Sequence, residues 1–177
     1  MYDFAGAACQ VNGIFKMRTR ALSSVLVVAF TALALPSFAQ EAPSPEKRAE
    51  NATATRQGLF KLLGFNMAPI VGMARARLPF DAATAERNAR RIASLAPMIP
   101  DVLAAMDTRE FDVETEALPL IWDNLDDIDD KAQNLVSEAN KFADVAADGD
   151  QQLTLRGLRA LGGACGNCHD AYRVDND

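Results

Sequence analysis

The sequence predicts an all-α protein, an antiparallel four-helix bundle. Three observations predict it. No segment shows the apolar–polar alternation of a strand, and aromatic residues make up only 7% of the chain. Four segments space their apolar residues in steps of four and three, which keeps one stripe on one helical face. The links between most of these segments are short, so consecutive helices lie antiparallel, and steps of this kind give the shallow crossing angle of bundles.

The first helix is expected from about Pro45 to Ala76, after the polar lead-in "EAPSP". Its stripe is Leu59, Phe60, Leu63, Met67, Ile70, Val71 and Ala74, with Pro69 as a candidate kink. The second runs from about Asp81 to Met106 on Ala85, Ala89, Ile92, Ala96, Ile99, Leu103 and Met106. Pro97 and Pro100 are expected to break or end it. "DTREFDVETEALP" reads as a connecting loop. The third helix, from about Leu120 to Ala147, carries Ile121, Leu125, Ile128, Ala132, Leu135, Ala139, Phe142 and Ala146. Gly149 is a helix stop and Asp150 a cap for the fourth helix, which reaches about Val174.

The front of the chain reads differently. From Met17 a short basic start (Arg18, Arg20) leads into the uncharged stretch Ala21–Leu35 and then Ser37-Phe38-Ala39. This is the pattern of a secretory signal peptide, residues 17–39, cleaved after Ala39. A membrane anchor is the weaker reading, because the apolar run is too short for a full span. Residues 1–16 read as an upstream start wrongly chosen, with Met17 the true start. The bundle then occupies residues 40–177, with 15 basic and 23 acidic residues and a net charge of about −8. That charge argues against nucleic acid and anionic membranes as partners. The protein is expected in the periplasm, off the membrane once the signal is removed.

Only two cysteines remain in residues 40–177, and both stand in "ACGNCHDAYR". Cys165 and Cys168 are followed directly by His169, the only histidine of the chain. Cys-x-x-Cys-His is the attachment signature of a c-type haem. Each thiol adds to one haem vinyl group, and the imidazole is offered to the iron. A redox Cys-x-x-Cys needs a βαβ setting, which is missing here. A structural zinc site needs four ligands, and two Cys with one His fall short. A plain disulfide leaves His169 unexplained. On a helix, Cys165, Cys168, His169 and Tyr172 share one side, extended by Leu158 and Leu161, so one covalently attached haem c is expected to hang from the fourth helix into the bundle core.

Nothing after His169 offers a strong second ligand, so any sixth ligand lies upstream, among Met67, Met73, Met98 and Met106. Arg56 stands four residues before Phe60, beside the apolar stripe. A guanidinium facing a core needs an anion, and a haem propionate would serve; a snorkelling Arg is the alternative. Trp122, the only tryptophan, reads first as core. Asp126, Asp127, Asp129 and Asp130 read as a solvated acidic face, with docking of a basic redox partner the weaker reading.

"ATRQGLFKLL", "DAATAERNARRIASLAPMIP", "EALPLIW" and "CGNCHDAYR" together resemble the cytochrome c′ family, the class II c-type cytochromes. The resemblance covers nearly all of residues 40–177. It implies an exported four-helix haem protein, commonly a homodimer through its first two helices, with five-coordinate high-spin iron and His169 as the sole protein ligand. It places Arg56, Gln57 and Glu116 in contact with the haem, Phe60 over the open distal face, and Arg173 beside the proximal face. Arg173 reads equally well as a cation at a helix C-terminus. In low-spin relatives a methionine fills the place of Phe60, and phenylalanine has no lone pair to give. The resemblance therefore implies binding of NO and CO, with buffering or detoxification of NO and some electron transfer. The redox partner is not identified by the sequence. The alternative is a low-spin, Met-ligated electron carrier on the same bundle. Met67 lies seven residues past Phe60, about 10 Å along the helix, and would ligate only a shifted haem. A haem enzyme is disfavoured, because no distal histidine is available as a general base.

Overall fold

The computed structural model describes residues 42–174, so the expected signal peptide and the expected upstream start lie outside the described residues. The bundle is built from α1 (Pro45–Ala74), α2 (Ala82–Leu95), α3 (Met98–Ala104), a 3-10 turn (Pro119–Asp123), α4 (Leu125–Ala147) and α5 (Gln151–Tyr172). The expected second helix is broken: Pro97 offers no N–H, and α2 and α3 are separate there. The expected third helix begins five residues later than its pattern, because Pro119–Asp123 winds tighter as the 3-10 turn. Pro69 stays inside a continuous α1.

Three helix starts are closed by side chains. Ser44 Oγ accepts from Lys47 N–H at 3.2 Å, Asp81 Oδ1 from Thr84 N–H at 3.2 Å and Asp150 Oδ1 from Leu153 N–H at 2.9 Å. Gly149 takes φ 79° after α4, where a Cβ would be strained. After α1 the same left-handed region falls to Ala76, at φ 54°.

The core is rich in alanine. Ala85, Ala89 and Ile92 of α2 and Ala132, Leu135, Ala139 and Ala146 of α4 are all buried, and the small side chains let α2 and α4 pack along their lengths. Arg90 of α2 reaches Asp144 of α4 at 2.6 Å. α4 in turn packs on α5, and α1 on α2. The ring is closed only sparingly between α1 and α5.

Candidate haem site

Cys165, Cys168 and His169 all lie within α5, whose buried face is Thr154, Leu161, Ala164 and Tyr172. The thiols are free and half-buried, and His169 is exposed. The motif therefore flanks the core face, where the sequence had placed it inside the core. Burial pushes both thiols up, so they stay protonated at neutral pH. Partial burial, and then the nearby Arg173 cation, push the His169 pKa down, which keeps its lone pair available to a metal.

These residues fit a covalently attached haem. Two unpaired thiols one turn apart match its two points of attachment, and a neutral imidazole follows directly. The helix backbone beside them is also bare. Gly162 and Gly166 precede His169 by seven and three residues and so lie along its side of the helix. A Cβ built on either would meet nothing within 4 Å, although both glycines are half-buried. Glycine inside a helix costs about 1 kcal/mol against alanine, and this stretch gives the cost a purpose: a flat group can lie close to the backbone.

On α1, Arg56 is 4% exposed and does not snorkel. Its Nε donates to Val102 C=O at 2.9 Å, one terminal nitrogen to Thr108 Oγ1 at 2.9 Å and the other to Met106 C=O. The partners expected for it were anionic; here carbonyls at and beyond the end of α3, where the helix dipole is negative, accept its protons. Burial lowers the Arg56 pKa, and the nearby Asp107 charge opposes that shift. Its guanidinium also sits 5.3 Å from the centre of the Trp122 ring, and Arg109 sits 6.0 Å from the same ring. Trp122 is half-buried and donates its indole N–H to Leu103 C=O at 3.1 Å. Gln57 donates to Glu114 C=O at 2.9 Å. Phe60, one turn on, is 38% exposed.

The segment from Asp107 to Leu118, which reads as a plain loop, is a frame. It receives Arg56 at Thr108 and Gln57 at Glu114. It then grips the end of α5. Glu116 Oε2 accepts from Arg173 Nε at 2.7 Å, Leu118 N–H donates to Tyr172 C=O at 2.9 Å, and Val174 N–H donates to Glu116 C=O at 2.8 Å. An isolated antiparallel bridge pairs Ala117 with Arg173. Both groups of candidate residues are thereby tied to one segment. An open cleft of about 450 Å³, lined by residues 122–127, lies at the start of α4.

Sequence reasoning missed Asp127. It is half-buried, accepts the Tyr172 hydroxyl at 2.5 Å and lies 3.4 Å from Lys131 Nζ, so it is not part of a merely solvated acidic face. Asp126, Asp129 and Asp130 are exposed as expected. An acid in the first turn of a helix is ordinary, so no sequence signal marked Asp127 out.

Residues 51–173 match the family model described as cytochrome C′. The chain is 35% identical over 150 residues to a cytochrome c-554 of Cereibacter sphaeroides, covering 84% of this chain and 94% of that one. It is 31% identical over 142 residues to a cytochrome c′ of the same organism, covering 80% and 91%. A solved cytochrome c′, described as showing ligand-controlled dimer dissociation, superimposes with a TM-score of 0.61 at 28% identity, over 72% of this chain and 97% of that one.

Proposed function

Because this chain belongs to the cytochrome c′ family, whose covalently attached cofactor is haem c, we propose that it is an exported, periplasmic gas-binding protein and not an enzyme. When bound, haem c supplies an iron that takes NO or CO at an open coordination position. Cys165 and Cys168 hold the group, His169 is the protein ligand, and Phe60 crowds the distal side. The observation that carries this reading is Phe60 itself. It stands exposed on α1, one turn after Arg56 and Gln57, and at the position that the family resemblance assigns to the distal face it offers hydrocarbon and no ligating atom.

Arg56 and Gln57 are the polar side chains nearest Phe60 in the preceding turn. Both have donors engaged by carbonyls of the α3 end and the 107–118 segment. Bound O₂ carries partial negative charge and gains from a hydrogen-bond donor; NO does not depend on one. The arrangement therefore favours NO and CO over O₂. Met67, the candidate ligand of the electron-carrier reading, lines a separate groove with Val71 and Leu78. That placement counts against it.

A homodimer through α1 is part of the same proposal. Leu62 and Phe65 of α1 are 52% and 68% exposed, and further along the same helix a groove of about 560 Å³ is lined by Met67, Val71 and the 48% exposed Leu78. Such a patch is a common mark of an interface.

Optical spectra of the haem-loaded protein, ferric and then ferrous at neutral pH, test the reading. A broad ferrous visible band with a high-spin Soret peak supports an open iron. Sharp, split α and β bands would replace the reading with a Met-ligated electron carrier. Phe60→Ala should speed CO and NO binding, and unchanged rates would remove Phe60 from the distal face.

A further inference from the structure

The last turn of α5 carries Cys168, His169 and Tyr172. Contacts from outside the helix hold it, among them the Arg173–Glu116 ion pair just past its end. The backbone bonds from Leu118 and to Glu116 fix where the helix ends. They do not by themselves fix how the final turn is rotated about its axis. That rotation is read by a side chain: Tyr172, 6% exposed, packs its ring in the core and sends its hydroxyl across the α4–α5 interface to Asp127, at 2.5 Å. Tyr172 follows His169 by three residues and Cys168 by four, so all three sit on adjoining turns of one side.

The bond is charge-assisted, and such bonds are shorter and roughly twice as strong as neutral ones. The Tyr172 hydroxyl, and then Lys131 at 3.4 Å, hold the Asp127 carboxyl below the usual carboxylate range. The same bond pushes the Tyr172 pKa up to about 12. Across the neutral range the pair is thus an anion accepting from a neutral phenol. Asp127 itself is anchored in the first turn of α4, a 23-residue helix packed along α2 and α5. It is a fixed point against which a turn of α5 can be set.

We propose that Asp127 is a positioning residue for the haem-binding turn: by holding the Tyr172 hydroxyl across the α4–α5 interface, it sets the rotation of the last turn of α5, and with it the direction from which the His169 imidazole meets the iron. This rests on the reading of His169 as the iron ligand. Asp127 does not touch the group; it acts through Tyr172.

The test uses the haem-loaded full chain in four variants: Tyr172→Phe, Asp127→Ala, their double, and His169→Gly. The readouts are the iron–histidine stretching band in resonance Raman spectra of the ferrous protein, and the reduction potential. Loss of packing strength alone would not move the iron–histidine band, although it can move the potential through solvent access. Each single variant should shift both readouts in the same direction. The double should shift them no further than the larger single, because both changes remove one bond. Tyr172→Phe keeps the ring in the core, so it remains informative if Asp127→Ala does not fold. An unshifted band and potential in Tyr172→Phe would overturn the proposal. Additive shifts in the double would overturn it too, since Asp127 would then be acting by its own charge. His169→Gly should abolish the band. If the parent band survives in that variant, the ligand reading itself falls, and if the band is absent from the parent, the five-coordinate reading falls; either is a different failure from an unmoved Tyr172→Phe.

Discussion

Replacing Arg56 by methionine separates its two assignments, tie of the bundle or contact of the haem. Methionine keeps the stem and removes the guanidinium. Three donors are lost, to Val102 C=O, Met106 C=O and Thr108 Oγ1. At the low end for a charged donor these are worth about 1.5 kcal/mol each. The stacked Trp122 ring, 5.3 Å away, adds about 1 kcal/mol. Against that gross loss of about 5.5 kcal/mol stands relief from burying the cation, about 2 to 3 kcal/mol at this site. The net expectation is a loss of about 3 kcal/mol, or a fall in Tm of about 10 °C for a domain of this size. Urea melts of the haem-loaded protein followed by far-UV circular dichroism measure it. Arg56→Lys should recover little, since an ammonium cannot fork to three acceptors. A change below about 0.5 kcal/mol in Arg56→Met would refute the reasoning, because the residue would then carry no structural tie.

Ala76→Gly should raise stability by about 0.5–1 kcal/mol, since it removes a Cβ from the left-handed region; thermal melts give the sign directly. Hydrogen bonds from Thr84 hold the Asp81 carboxyl below its ordinary value, so its contribution is present above the unfolded-state pKa and is lost as pH falls through the lowered one. Asp81→Ala should therefore cost stability at neutral pH and cost progressively less in acid, and a constant difference across the acid titration would contradict the capping role. Gly162→Leu should strengthen the bare helix by about 1 kcal/mol on propensity yet lower the yield of haem-loaded protein, read as the ratio of Soret to protein absorbance. Full loading with an unchanged spectrum would show that nothing lies against that stretch of α5.

Much of the fold was legible before any coordinates. The cap at Asp150, the stop at Gly149 and the break at Pro97 are decided by residues within a turn of one another, so local spacing reveals them. The stripes of α2 and α4 were read correctly for the same reason: helical periodicity reports which side is buried without saying against what. α1 was harder, because its buried side mixes Thr53, Arg56 and Asn66 with Leu59 and Ile70, while Leu62 and Phe65 face outward. Apolar character alone misplaces such a helix.

The sequence by itself determined the helices, their order and the cluster of Cys165, Cys168 and His169, all of which depend on neighbours a few residues apart. The tertiary structure alone decided the rest. Arg56 meets carbonyls 46 and 50 residues away, Tyr172 meets Asp127 across 45 and Arg173 meets Glu116 across 57. A buried donor must find an acceptor, but which one it finds depends on how far each helix is turned and slid against its neighbour. That is settled by packing the whole core at once, and no local stretch of chain encodes it.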